Sequence, residues 1–203
     1  MDSITTPFAW GFCVKNGNLD EVKWSKMKQL IESQLCESLH GRLQFYLTVH
    51  RKTHDQKSSL WITLDGVEIF RFSDIGFEVK SNQAYEDLIR EREIKPIPWH
   101  IPLCELLESE EVKSLHRSSD DAEEFVRMQG VYPSWEMKNA LFDYLNLPFE
   151  EARVHEHIFI RSMAIWDRRL GKRRFKEIQI EKLTDLERMF YEIRFLSKVA
   201  SFT

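Results

Sequence analysis

Leu60-Trp61-Ile62-Thr63-Leu64-Asp65-Gly66-Val67-Glu68-Ile69-Phe70-Arg71-Phe72 is the stretch that decides the fold. Apolar residues alternate on both sides of Asp65-Gly66. Asp-Gly between two such runs signals a β-hairpin, because a two-residue turn needs positive φ at both positions. Such a turn also sets the register. Leu64 should face Val67 and Ile62 should face Ile69 on one side of the sheet, with Trp61 opposite Phe70 and Thr63 opposite Glu68 on the other. Upstream, Leu43, Phe45, Leu47 and Val49 alternate with Arg42, Gln44, Tyr46, Thr48 and His50, which adds a strand and makes a meander. Further upstream the period lengthens. Trp24, Met27, Ile31, Leu35 and Leu39 share a helical stripe with Gly41 placed as a left-handed C-cap, so a helix over 24–39 is expected to cover the first sheet face.

Downstream of Asn82 the strand pattern stops and helical periods take over, interrupted by Pro96, Pro98 and Pro102. Helices are expected at about 83–93, 102–117, 120–129, 134–146, 148–154, 157–170 and 184–200, with Met189, Ile193, Leu196 and Ala200 as the buried stripe of the last. The fold class is therefore α+β: a helix plus a small antiparallel β-meander followed by a helical half. Residues 1–20, with Phe8, Trp10 and Phe12 at alternate positions, read as an N-terminal extension. Residues 21–82 read as an α+β subdomain and 83–203 as a helical subdomain packed on it.

The 203 residues are 42% hydrophobic, enough for a real core, and 33 acids against 29 bases give a net charge of −4. That balance excludes a polybasic nucleic-acid coat or membrane binder, so any such role must be local. No apolar run approaches the roughly 18 residues of a membrane span, and the first residues are not those of a signal peptide. A cytoplasmic protein without a membrane role is expected. Cys13, Cys36 and Cys104 lack metal or disulfide spacing and read as free thiols.

Several constellations invite chemistry. Asp65 and Glu68 sit where a nuclease of the restriction-endonuclease type carries metal-binding carboxylates, but Phe70 stands where the lysine belongs, and Asp65 is the residue the turn itself wants. A double-stranded-RNA-binding reading of the same element order meets acids at Glu86 and Asp87, where a basic helix start is needed. Tyr46, Thr48, His50, Trp61, Glu68, Phe70 and Phe72 would share the outer sheet face, to be covered by other elements or left open for stacking. His50-x3-His54 and His155-x-His157 lack a third ligand at a known spacing, so no metal is expected. His54 and Asp55 form a candidate acid–base pair in a loop.

The richest stretch is 157–176. Its first half is apolar around the helix, so Asp167 should be buried, paired with an arginine or accepting backbone N–H groups. Arg161, Arg168, Arg169, Lys172, Arg173 and Arg174, with Lys176, form a basic block that could hold phosphate or a partner. The preceding 104–156 carries thirteen acids against five bases. Neutralisation of one block by the other is the plain alternative to a ligand.

Several of these stretches also resemble an uncharacterised bacterial family. They are Trp24-Ser25-Lys26-Met27-Lys28 with Ile31-Glu32, Gly41-Arg42, His54-Asp55, Trp61-Ile62-Thr63-Leu64-Asp65-Gly66 with Glu68-Ile69, and the block from Arg161 to Arg174. That block contains Asp167-Arg168-Arg169-Leu170-Gly171-Lys172-Arg173-Arg174. The resemblance spans about 24–175 and implies a recurring bacterial intracellular protein, with no catalytic role to carry over. The expected function is a non-enzymatic interaction module without a cofactor, of an immunity or defence kind, whose partner is a protein. The alternative is a nucleic-acid or nucleotide binder, or a divergent nuclease, using 161–176.

Overall fold

The Asp65-Gly66 turn forms with φ of 52° and 81°, the left-handed pair that a two-residue hairpin turn needs. It joins β2 (Ser58–Leu64) to β3 (Val67–Ser73). β1 (Leu43–Val49) pairs antiparallel with β2, so the sheet runs β1-β2-β3. The computed structural model describes residues 23–50, 57–97 and 102–199. The expected N-terminal extension and the candidate pair His54 and Asp55 lie outside the described residues.

The expected register holds only next to the turn. Leu64 faces Val67 and Thr63 faces Glu68, but a β-bulge then makes Ile62 face Phe70 and Trp61 face Arg71. In a regular hairpin Arg71 would lie opposite Leu60 on the core face, where an unpaired guanidinium is costly. The extra residue turns Phe70 and Phe72 inward and Arg71 outward. The outer face therefore loses both phenylalanines assigned to it.

The architecture is α+β with a helical second half, as expected. α1 (Trp24–Gln34) precedes the sheet. After it come α2 (Asp74–Glu91), α3 (Leu103–Glu108), α4 (Glu110–Met128), α5 (Ser134–Asn146), α6 (Phe149–Ala152), α7 (Ile158–Trp166), α8 (Lys172–Lys176), a 3-10 turn at Ile180–Lys182 and α9 (Asp185–Val199). α2 starts nine residues before the expected 83, directly from β3. Ser73 caps it, its Oγ accepting the Gly76 N–H at 3.2 Å. The break expected near 118 falls instead at Ser109, whose Oγ accepts from Val112 N–H and starts α4.

Two helices end earlier than their apolar spacing suggests, and for one reason. Leu35 leaves α1 in an extended conformation and pairs as a β-bridge with Asp167, which leaves α7 in the same way. The Arg168 N–H donates to the Gln34 carbonyl and the Cys36 N–H to that of Trp166, both at 2.8 Å. The buried Arg194 of α9 then donates to the carbonyls of Ile165, Asp167 and Leu170, at and just beyond the end of α7. Burial pushes its guanidinium below the ordinary arginine range.

The core is continuous from Met27 to Phe190 and draws on both sides of the expected joint at 82–100. Its centre is aromatic. Trp166 stacks on Phe190 at 3.8 Å, with Phe70 5.0 Å from Phe190 and Phe72 edge-on to Phe159. Each such ring contributes about 2–3 kcal/mol by leaving water. α9 turns Phe190 and Arg194 inward to meet this cluster, which leaves Met189 46% and Leu196 63% exposed, contrary to the expected stripe. α2 and α4 pack on each other apart from this main core, with Phe77 and Ser81 of α2 and Ser118, Ala122 and Val126 of α4 buried.

Candidate functional site

The carboxylates of the nuclease reading are both engaged by arginines. Asp65 receives a bidentate guanidinium from Arg42, at 2.9 and 2.6 Å, and that hydrogen bonding holds its carboxyl below the usual range. Glu68 is held in the same way by Arg71 of the same strand, whose hydrogen bonding keeps its carboxyl below the usual range. Among the described residues no three His, Cys, Asp or Glu side chains converge as metal ligands would.

The outer sheet face is organised by the bulge into a row across the strands. Lys28 of α1 lies 4.6 Å from the Tyr46 ring centre. Tyr46 stacks on Trp61 at 5.3 Å, and Arg71 lies 5.2 Å from Trp61 on β3. Each ring is thus flanked by a second ring and a cation. Little ring face is left for a nucleic-acid base to stack on.

A groove of about 880 Å³ opens where α2, α4 and the start of α5 meet the ends of β1 and β2. Asp74 forms part of it, and sequence reasoning missed this residue. Its Oδ1 accepts from Ser134 N–H, Ser134 Oγ and Trp135 N–H, and its Oδ2 from the N–H and Oγ of Ser58. Burial would raise the Asp74 carboxyl, but these bonds outweigh it and hold the group below the ordinary range. With five donors on two oxygens, Asp74 ties three elements together and has little capacity left as a base. The Ser73-Asp74 pair, a cap followed by an acid, was the local signal for it.

The basic block is divided by the fold. Arg161 donates to Glu187 at 2.8 Å and to the carbonyls of His155 and Glu156. Arg169 is committed to Asp167, and Arg174 to Glu150 at 2.6 Å. Arg168, Lys172, Arg173 and Lys176 are exposed, Arg173 beside an equally exposed Glu177. Asp167 is 1% exposed and accepts from the Tyr144 hydroxyl, the Arg169 guanidinium and the Arg169 N–H. It is buried beyond the end of α7, where the chain is extended and bridged to Leu35, rather than on the helix itself. His155 and His157 each accept a backbone N–H through Nδ1, and His157 caps α7.

Of the acids of 104–156, Glu150 pairs with Arg174 of this block, whereas the paired acids of α4 find their partners elsewhere. Asp121 pairs with Arg92, Glu110 with Lys113 and Arg117, and Glu123 with Arg127, all within the α2–α4 arm. Glu110 and Glu111 also occupy the first turn of α4, where the helix dipole favours them. Asp120 and Glu124 are exposed and have no ion pair among the described residues. Beside them on α4 stand Phe125, 53% exposed, and Met128, 80% exposed. A family model described as the SF0329 protein family matches residues 23–195. The chain belongs to that family. That family is uncharacterised, as is the family that the sequence resembles. No curated protein and no solved structure matches the chain. No helix among the described residues is long and apolar enough to cross a membrane.

Proposed function

We propose that the chain is a non-enzymatic interaction module of the bacterial cytoplasm, working without a cofactor, that binds a basic protein through the outer face of α4. One observation carries this reading. Asp120, Asp121 and Glu124 surround the exposed Phe125 and Met128, combining a long-range steering field with an apolar anchor. Like charges one turn apart weaken a helix by a few tenths of a kcal/mol, so Asp120 and Glu124 do nothing for α4 itself. An immunity or defence protein that occludes the basic surface of a nuclease would need such a face. Nucleic-acid binding through Arg168, Lys172, Arg173 and Lys176 ranks second, because Arg161, Arg169 and Arg174 are spent within the fold.

Zero-length carbodiimide coupling of carboxylates to lysines, followed by mapping of the joined peptides, tests the first reading. Couplings from Asp120, Asp121 or Glu124 to a basic protein are expected, and should disappear in Asp120→Lys/Glu124→Lys. Couplings confined to other carboxylates, or unchanged in that variant, would reject it.

A further inference from the structure

We infer that the α4 face of one molecule docks on the α8 segment of a second copy of this chain, head to tail. The inference rests on the interaction reading above and names, for that face, a basic segment of an otherwise acidic partner, this chain itself.

The acids of α4 and the bases of α8 carry opposite charge, and the fold pairs them with other residues rather than with each other. The paired acids of α4 are answered by Arg92, Lys113, Arg117 and Arg127. The paired bases around α8 are answered by Asp167, Glu150 and Glu177. Among the described residues no ion pair joins α4 to α8. Asp120 and Glu124 remain on one side, and Lys172 and Lys176 on the other, all exposed and without an ion pair among the described residues. Their spacing matches. Each pair is separated by four residues of helix, so the two carboxylates and the two ammonium groups both project about 6 Å apart along their helices. One helix laid against the other brings both charges of each pair into register. Exposed ion pairs hold little by themselves, and Phe125 and Met128, standing beside Glu124, supply apolar area that such a contact can bury.

Because the two patches differ, the contact is heterologous. Every molecule that joins leaves one acidic and one basic patch free, so association should not stop at a dimer unless a ring closes.

Sedimentation velocity of the full chain from about 10 to about 200 µM tests this, with salt at about 20 mM and about 500 mM. The weight-average mass should rise with concentration at low salt and return to 24.3 kDa at high salt. Asp120→Lys/Glu124→Lys and Lys172→Glu/Lys176→Glu, each shown to be folded by circular dichroism, should both be monomeric alone. Mixed in equal amounts they should associate again, since each then offers the charge the other lacks. A wild type that is monomeric throughout would overturn self-docking, as would association indifferent to salt or to either reversal. Carbodiimide couplings from the same carboxylates to a foreign protein would still leave the interaction reading standing.

Discussion

Asp167 holds its place by what it accepts. Its carboxylate takes the Tyr144 hydroxyl, the Arg169 N–H at 2.7 Å and the Arg169 guanidinium, while Tyr144 is almost wholly buried and the Arg169 side chain is 39% exposed. The two partners would fare differently without it. Arg169 can turn to water, whereas the Tyr144 hydroxyl, already pushed up by burial and then by the carboxylate beside it, would be left without an acceptor. Asp167→Ala is therefore expected to cost about 2–3 kcal/mol in urea unfolding, less than the ~3–5 kcal/mol of a cation stranded in a core. Asp167→Asn should be milder, because the amide keeps an acceptor. Adding Tyr144→Phe to Asp167→Ala should recover part of the loss. A wild-type midpoint for Asp167→Ala would mean that the carboxylate is not buried where the bridge to Leu35 puts it.

At the scale of elements the bulge in β3 decides most. It makes Phe70 a core residue and Ile69 the extra one, so Phe70→Ala should cost about 3–4 kcal/mol and Ile69→Ala about 1 kcal/mol or less. A regular register predicts the reverse order, and equilibrium unfolding of the two variants separates them. The hairpin was legible because its information is local: two residues set the turn and the next few set the strands. The bulge had a local signal too, since Phe70-Arg71-Phe72 puts a charge on the face that Val67 and Ile69 claim. The early ends of α1 and α7 had none. Leu35 and Leu39 keep helical spacing, and what breaks the helix is a bridge to Asp167, far along the chain. α9 misled for a similar reason: Met189, Ile193 and Leu196 form an apolar stripe, but Trp166 and the open end of α7 draw Phe190 and Arg194 inward instead.

For the whole molecule, the sequence shows two charged blocks but not which of their charges are spare. That depends on partners such as Arg92 for Asp121 and Glu150 for Arg174, which only the packing of distant elements supplies. Once those are assigned, Asp120 and Glu124 stand out as carboxylates that the fold does not use, on a helix that presents Phe125 and Met128 beside them. Residues kept for binding contribute little to stability or cost a little of it. The most direct measurement is thermal unfolding of Asp120→Lys/Glu124→Lys beside the wild type at low protein concentration, where association does not contribute. The account predicts a midpoint within about 2 °C of wild type or slightly above it, as a like-charge pair is only moved from acid to base on an exposed face. A fall of about 5 °C or more would show that these carboxylates hold the fold together, and would contradict their assignment to a partner.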